Sequence, residues 1–128
     1  MNPVSGPMGD WLPVERSNTS EPRFRLRFGE QHIGNPMIRS LHGGVSAAVI
    51  EAVAQATAGQ ELGERTRVEL VSSSIDYLRA TKGADLHARA VTTRSGRRLA
   101  FVDVWCWQDD EGTPVVRGNC TLRIQAAT

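Results

Sequence analysis

Apolar and charged side chains first alternate at Arg23-Phe24-Arg25-Leu26-Arg27-Phe28, with Phe and Leu at every second position and Arg between them. A period of two marks a strand with one buried face, because successive side chains leave opposite sides of the sheet. Gly34-Asn35-Pro36 breaks the chain, and Met37 to Leu41 leads as a short connection into a different pattern. From Val45 to Ala58 small apolar residues lie all round a helical cylinder, with Gly43-Gly44 before them and Gly63 as a stop signal after. This is the one long helix that the pattern predicts. Four more strands follow from their punctuation: Arg67 to Tyr77, Leu86 to Thr93, Leu99 to Trp107 and Pro114 to Ile124, with turns at Thr81 to Asp85, Ser95-Gly96 and Asp109 to Gly112. Loops of hairpin length imply an antiparallel meander, and five strands with one apolar helix are satisfied when the sheet curls around the helix. The expectation is one α+β domain over residues 21–128. Residues 1–20, rich in Pro and Gly and ending in Ser17-Asn18-Thr19-Ser20, read as a loosely ordered arm whose Trp11-Leu12 pair can dock on the body.

Charge and composition narrow the partners. With Lys+Arg 15 against Asp+Glu 14, the formal charge of +1 gives no general reason to bind nucleic acid or an anionic membrane, although a local phosphate site stays open. No apolar run approaches the roughly 20 residues of a membrane span, and no basic segment followed by a hydrophobic one opens the chain. A soluble, cytoplasmic protein is expected. If Gln108 faces Thr113 across the last hairpin, Cys106 lies near Val115 and Cys120 near Phe101, so both stay free thiols, as suits a reducing compartment. His32, His42 and His87 make no metal-ligand spacing with these cysteines, and the chain has no Cys-x-x-Cys, no Gly-x-Ser-x-Gly elbow and no dinucleotide glycine loop. Neither a metal nor a cofactor is expected.

Chemistry concentrates at the helix. Between Gly43 and Gly59 the single charged side chain is Glu51, and on a helical projection Glu51 and Gln55 share a face nearly opposite Val49 and Val53. An ordinary solvated stripe stays open as the plain reading. Gly43 and Gly44 leave the first amides uncovered by side chains, where unsatisfied N–H groups and the helix dipole favour an anion or a polarised carbonyl.

Gly34-Asn35-Pro36, His42-Gly43-Gly44, an acidic residue nine positions after that histidine, Tyr77-Leu78-Arg79-Ala80 and Arg97-Arg98-Leu99-Ala100-Phe101-Val102-Asp103-Val104 together resemble the hotdog-fold acyl-CoA thioesterases of the phenylacetic-acid-degradation (PaaI) type. The likeness covers residues 24–124. It implies a cytoplasmic enzyme that hydrolyses acyl-CoA without a cofactor, as a homodimer or a homotetramer built from two dimers, with active sites at the subunit interface. It also implies Glu51 as the catalytic carboxylate, acting either as general base or as a nucleophile through a mixed anhydride, the Gly43-Gly44 amides as the carbonyl-polarising group and Asn35 as an assisting side-chain amide. His42 shapes the turn and pocket wall or acts as a base. Gln55, Thr57 or a partner residue would position water. Ser73 and Ser74 are candidates to touch the acyl group, with plain exposed polar residues the alternative, and Arg79, Lys82, Arg97 and Arg98 are candidates for the CoA phosphates. Trp105 and Trp107 share one sheet face, which suits packing better than ligand stacking. The implied substrate is a medium-chain, aryl or hydroxylated acyl-CoA; the alternative is a non-hydrolytic acyl-CoA binding module on the same fold.

Overall fold

The computed structural model describes residues 4, 7–17, 23–63 and 66–126. Its elements run in the order α1 (Pro7–Trp11), β1 (Val14–Arg16), β2 (Phe24–Leu26), a short 3-10 turn, β3 (Ile33–Asn35), β4 (Ser40–Leu41), α2 (Gly43–Leu62), β5 (Thr66–Tyr77), β6 (Leu86–Ser95), β7 (Leu99–Trp107) and β8 (Val116–Ala126). One antiparallel sheet has the order β1-β2-β6-β7-β8-β5, and β3-β4 form a separate hairpin. The helix begins and ends where the glycines require: His42 caps its start, and Gly63 terminates it at a φ of 90°, a conformation that side chains resist. Val45, Val49, Ile50, Val53, Ala54 and Ala58 bury one side of α2 against the sheet, where Val102, Val104, Cys106, Val116, Cys120 and Leu122 meet them.

Several features depart from the pattern-based expectation. Among the described residues the main sheet has six strands rather than five, because Val14 and Arg16 pair with Leu26 and Phe24 and add β1 at the edge. The stretch expected as a loose arm therefore contributes a strand, with Leu12 and Val14 buried, whereas Asn18, Thr19 and Ser20 lie outside the described residues. Trp11-Leu12 does dock. The Trp11 carbonyl lies 2.6 Å from Nε2 of the buried His32, whose Nδ1 accepts the Gly29 amide at 3.0 Å, so the tautomer with its proton on Nε2 satisfies both contacts. The sheet is also not a simple meander: β5 pairs with β8, and residues 78–85 carry the chain from that edge to β6. Finally, residues 33–41 form a hairpin rather than a bare connection, braced by a 2.7 Å ion pair between Arg39 and Glu30.

The last hairpin is shifted by one residue. Asp110 organises its turn, accepting from the Gly112 amide at 3.1 Å and the Thr113 hydroxyl at 3.0 Å, so Cys106 faces Val116 and Cys120 faces Val102. A one-residue shift exchanges faces, and both thiols consequently point toward the helix, free and buried. Burial pushes the Cys106 thiol up to about 12, and burial, followed by the charges of Glu51 and Asp103, pushes Cys120 up to about 11, against an ordinary 9.0. Above pH 9 the unfolded chain then releases these protons before the folded one does. Stability should fall by roughly 1.4 kcal/mol per thiol per pH unit from pH 9 until each folded value is reached. Urea midpoints at pH 8, 9 and 10.5 check this, and replacing both cysteines by alanine should flatten the decline.

The strand β5 retraces α2. Gly59 of the helix sits over Val68, Glu51 over Ser73 and Gly43 over Tyr77. The pitches match: eight helical residues rise about 12 Å and four strand residues about 13 Å. An irregularity between Leu70 and Ser72 leaves Val71 unpaired and exposed, so Leu70 faces Leu122 while Ser73 faces Cys120.

Candidate active site

Glu51 emerges at the middle of α2, half-buried, and its Oε2 accepts a 2.8 Å hydrogen bond from the Ser73 hydroxyl. Beneath this pair lies Cys120, directly across the ladder from Ser73. The carboxylate is thus held by one hydroxyl on a face lined by the apolar underside of the sheet.

A second cluster gathers at the start of α2. The four amides there that no helical turn can satisfy are treated differently. The His42 amide donates to the His32 carbonyl at 2.8 Å, the Gly44 amide to His42 Nδ1 at 2.9 Å, and the Val45 amide to the His42 carbonyl at 2.9 Å. Only the Gly43 amide has no acceptor among the described residues. The Gly43 carbonyl instead receives the Tyr77 hydroxyl at 2.8 Å. Close approach explains two glycines: a Cβ on Gly34 would stand 2.8 Å from the His42 Cα, and one on Gly43 would stand 3.2 Å from the Tyr77 oxygen.

The structure therefore groups Glu51 with Ser73, and His42 with Gly43 and Gly44, and leaves the other candidates elsewhere. Asn35 is exposed on the separate hairpin and spends its side-chain oxygen on the Met37 amide at 3.0 Å, closing its own turn. Gln55 is exposed, and the buried Thr57 hydroxyl has no hydrogen-bond partner among the described residues. Six positions from Glu51, Thr57 projects from a different side of the helix. Ser74 lies one position from Ser73, hence on the opposite sheet face. The basic residues separate. Arg79 donates to the Pro114 carbonyl at 2.6 Å and Lys82 pairs with Asp109 at 2.5 Å, both beside the β7–β8 loop. Arg97 and Arg98 are exposed at the far end of β7. A nine-residue strand separates the two groups by roughly 26 Å, too far for one phosphate to reach both.

Tyr77 was visible in the sequence motif without a role. Its signal is parity: Ser73, Ile75 and Tyr77 share one face of β5, so a residue opposite Glu51 predicts another opposite Gly43. Trp105 and Trp107 are occupied, the first by the Arg89 guanidinium 4.5 Å from its ring and the second by stacked His87 at 5.8 Å. Among the described residues no three His, Cys, Asp or Glu side chains gather as a metal site, and no helix is long and apolar enough to cross a membrane.

The family model for the acyl-CoA thioesterase N-terminal domain matches residues 32–123, a span that includes both clusters. No curated protein matches the chain. Solved structures align over most of their length. A Bacillus halodurans protein crystallised with CoA superposes with a TM-score of 0.84 at 18% identity, covering 98% of this chain and 82% of that one. A Haemophilus influenzae thioesterase gives 0.83 at 21%, covering 95% and 85%. A phenylacetic acid degradation-related protein from Ralstonia eutropha gives 0.81 at 18%, covering 94% and 92%. Identities this low speak to the fold.

Proposed function

The chain belongs to the acyl-CoA thioesterase family of that N-terminal-domain model and is a thioester hydrolase of hotdog fold, and from this premise we propose that it cleaves a medium-chain, aryl or hydroxylated acyl-CoA to the free acid and CoA. The observation that carries the reading is the single helix carboxylate held by a hydroxyl, Glu51 with Ser73. A thioester carbonyl is already electrophilic and thiolate leaves readily, so one base and one polarising donor suffice. No cofactor takes part. In this proposal Glu51 removes a proton from water as its oxygen adds to the thioester carbon, while the developing oxyanion accepts from the Gly43 amide. The C–S bond then breaks, CoA leaves as thiolate, and the proton returned by Glu51 reaches it through solvent. Ser73 fixes one carboxylate oxygen and leaves the other for the water. Asn35 and Gln55 are assigned no role within the single chain, and the exposed Arg97 and Arg98 are the cations offered to CoA phosphates.

Gly43 and Glu51 lie eight residues apart on one helix, about 12 Å along its axis, a long reach for one carbonyl to bridge. We therefore assign the working site to two copies, the amide of one and the carboxylate of the other. The strand β5 ends the sheet, with Val71 and Tyr77 exposed on it and Leu78 exposed just beyond, and is the edge available for such pairing. The test is CoA release, read with a thiol reagent, from acetyl-, hexanoyl-, palmitoyl-, benzoyl- and phenylacetyl-CoA; because both cysteines are buried, the folded protein adds little background. Hexanoyl or aryl substrates should lead the series. Ser73→Ala should lower kcat about tenfold with little change in KM, as expected for loss of one orienting hydrogen bond to a base. Binding of acyl-CoA without release would select the non-hydrolytic module instead.

A further inference from the structure

Two consecutive glycines at a helix start are the least constrained backbone the chain could place at a site that must aim an amide. Helix ends also fray, and Gly43 has no side chain of its own to lean on. Something else must fix the direction of its N–H.

We propose that Tyr77 is a positioning residue for this amide: its hydroxyl tethers the Gly43 carbonyl and its ring walls the space beside the Gly43 Cα. The inference rests on the reading of Gly43 as the polarising donor. Three contacts support it. The Tyr77 hydroxyl donates to the Gly43 carbonyl at 2.8 Å, which holds the Gly43–Gly44 peptide from its oxygen side. His42 Nδ1 accepts the Gly44 amide at 2.9 Å and holds the same peptide from its nitrogen side. On the preceding peptide, the His42 carbonyl accepts from Val45 at 2.9 Å. With the peptides on both sides of Gly43 anchored, its own dihedral angles are determined and its N–H has a single direction. Tyr77 supplies the one of these anchors that comes from outside the helix. Its ring is also the nearest obstacle beside Gly43: an added Cβ would meet the tyrosine oxygen at 3.2 Å and ring carbons at 3.5 and 3.6 Å. The same ring that excludes a side chain at position 43 borders the space that an incoming acyl oxygen would use, and Tyr77 stays 57% exposed, open to that approach. The strand delivers it there by the pitch match, two steps on from Ser73.

Because the hydroxyl acts through the backbone, its removal should change how strongly a bound carbonyl is polarised rather than whether substrate binds. Tyr77→Phe deletes only that oxygen. Its kcat should fall about tenfold, less than the roughly 10²-fold or more seen when an oxyanion donor itself is lost, with KM within about twofold of the parent. The decisive readout is the infrared stretch of the thioester carbonyl of benzoyl-CoA bound to a Glu51→Gln background, which holds substrate without turnover. The stretch should lie well below its value in water when Tyr77 is present and return part of the way in the Tyr77→Phe, Glu51→Gln double variant. An unchanged stretch and unchanged kcat in the Phe variants would overturn the role of Tyr77 while leaving the thioesterase reading intact. A lowered melting midpoint with the stretch unmoved would likewise overturn it, reducing Tyr77 to packing. If the carbonyl of bound substrate is unshifted even with Tyr77 in place, the assignment of Gly43 as donor fails, and Tyr77 with it.

Discussion

Glu51→Gln should lower kcat by about 10³-fold, the scale of a lost general base, while acyl-CoA still binds and the melting midpoint stays near that of the parent. Glutamine has the same length, and its carbonyl oxygen can still accept the Ser73 hydroxyl, so the half-buried face of α2 loses a charge but no contact. What it cannot do is take a proton from water. Glu51→Ala should be equally inactive and also leave the Ser73 hydroxyl without its acceptor. A companion variant isolates the other half of the site. Gly43→Pro removes the one amide left uncovered among the described residues of the helix start; His42, at φ −61° and ψ 134°, already holds the extended conformation that a following proline requires, and the proline Cβ, 3.2 Å from the Tyr77 oxygen, displaces that exposed ring as well. Each chain alone should be nearly inactive. Mixed by unfolding and refolding together, they should recover about a quarter of parental turnover if two copies build each site, since half the dimers are mixed and each mixed dimer has one intact site. No recovery would place Gly43 and Glu51 in the same chain's site. Turnover by Glu51→Gln at the parental rate would remove the carboxylate from the mechanism altogether.

A large effect on stability should come from Gly118→Ala. Gly118 lies on β8 directly under the helix, where an added Cβ would come within 2.5 Å of Ile50 Cγ2 and 3.2 Å of Ile75 Cδ1. Ile50 has no room to retreat, because it is fully buried in the core, whereas the half-buried Ile75 can yield at its terminal methyl. Overpacking of this kind costs about 1–3 kcal/mol, which for a domain of this size lowers the melting midpoint by roughly 4–11 °C. Thermal unfolding measures it. Ile50→Ala opens the space, so the double variant should lose less than the sum of the two single losses, by about 1 kcal/mol or more. Additive losses would show that the contact is relieved by backbone movement. Since Ile50 precedes Glu51, the displaced helix turn should also reduce turnover.

The helix was legible almost to the residue, because both its ends are fixed by glycine and its body by composition. The strand Leu99–Trp107 was legible from its punctuation, with Ser95-Gly96 before it and the turn from Asp109 to Gly112 after it. The order of strands was not. That β5 seeks β8 rather than β6 is decided by long-range pairing that no local period records, and a three-residue strand such as Val14–Arg16 is too short to show a period at all. The site divided along the same line. Glu51 and Gly43 announce themselves as the lone charge and the bare backbone of one helix. The destiny of Asn35 depends on a turn that uses its side chain locally, and the choice of Ser73 over Ser74 depends on which way the strand faces.

That choice has a consequence for how such a site withstands change. If the irregular residue Val71 were absorbed into regular pairing, every later residue of β5 would move one place against β8 and turn over. Ser73 would leave the helix, yet Ser72 would arrive in its place, hydroxyl for hydroxyl. The run of three serines thus makes the carboxylate's partner redundant, immune to a slip of one in either direction. Tyr77 has no such understudy: its neighbours Asp76 and Leu78 offer no phenol, so an error in this edge strand would be felt at the amide while the carboxylate kept its hydroxyl.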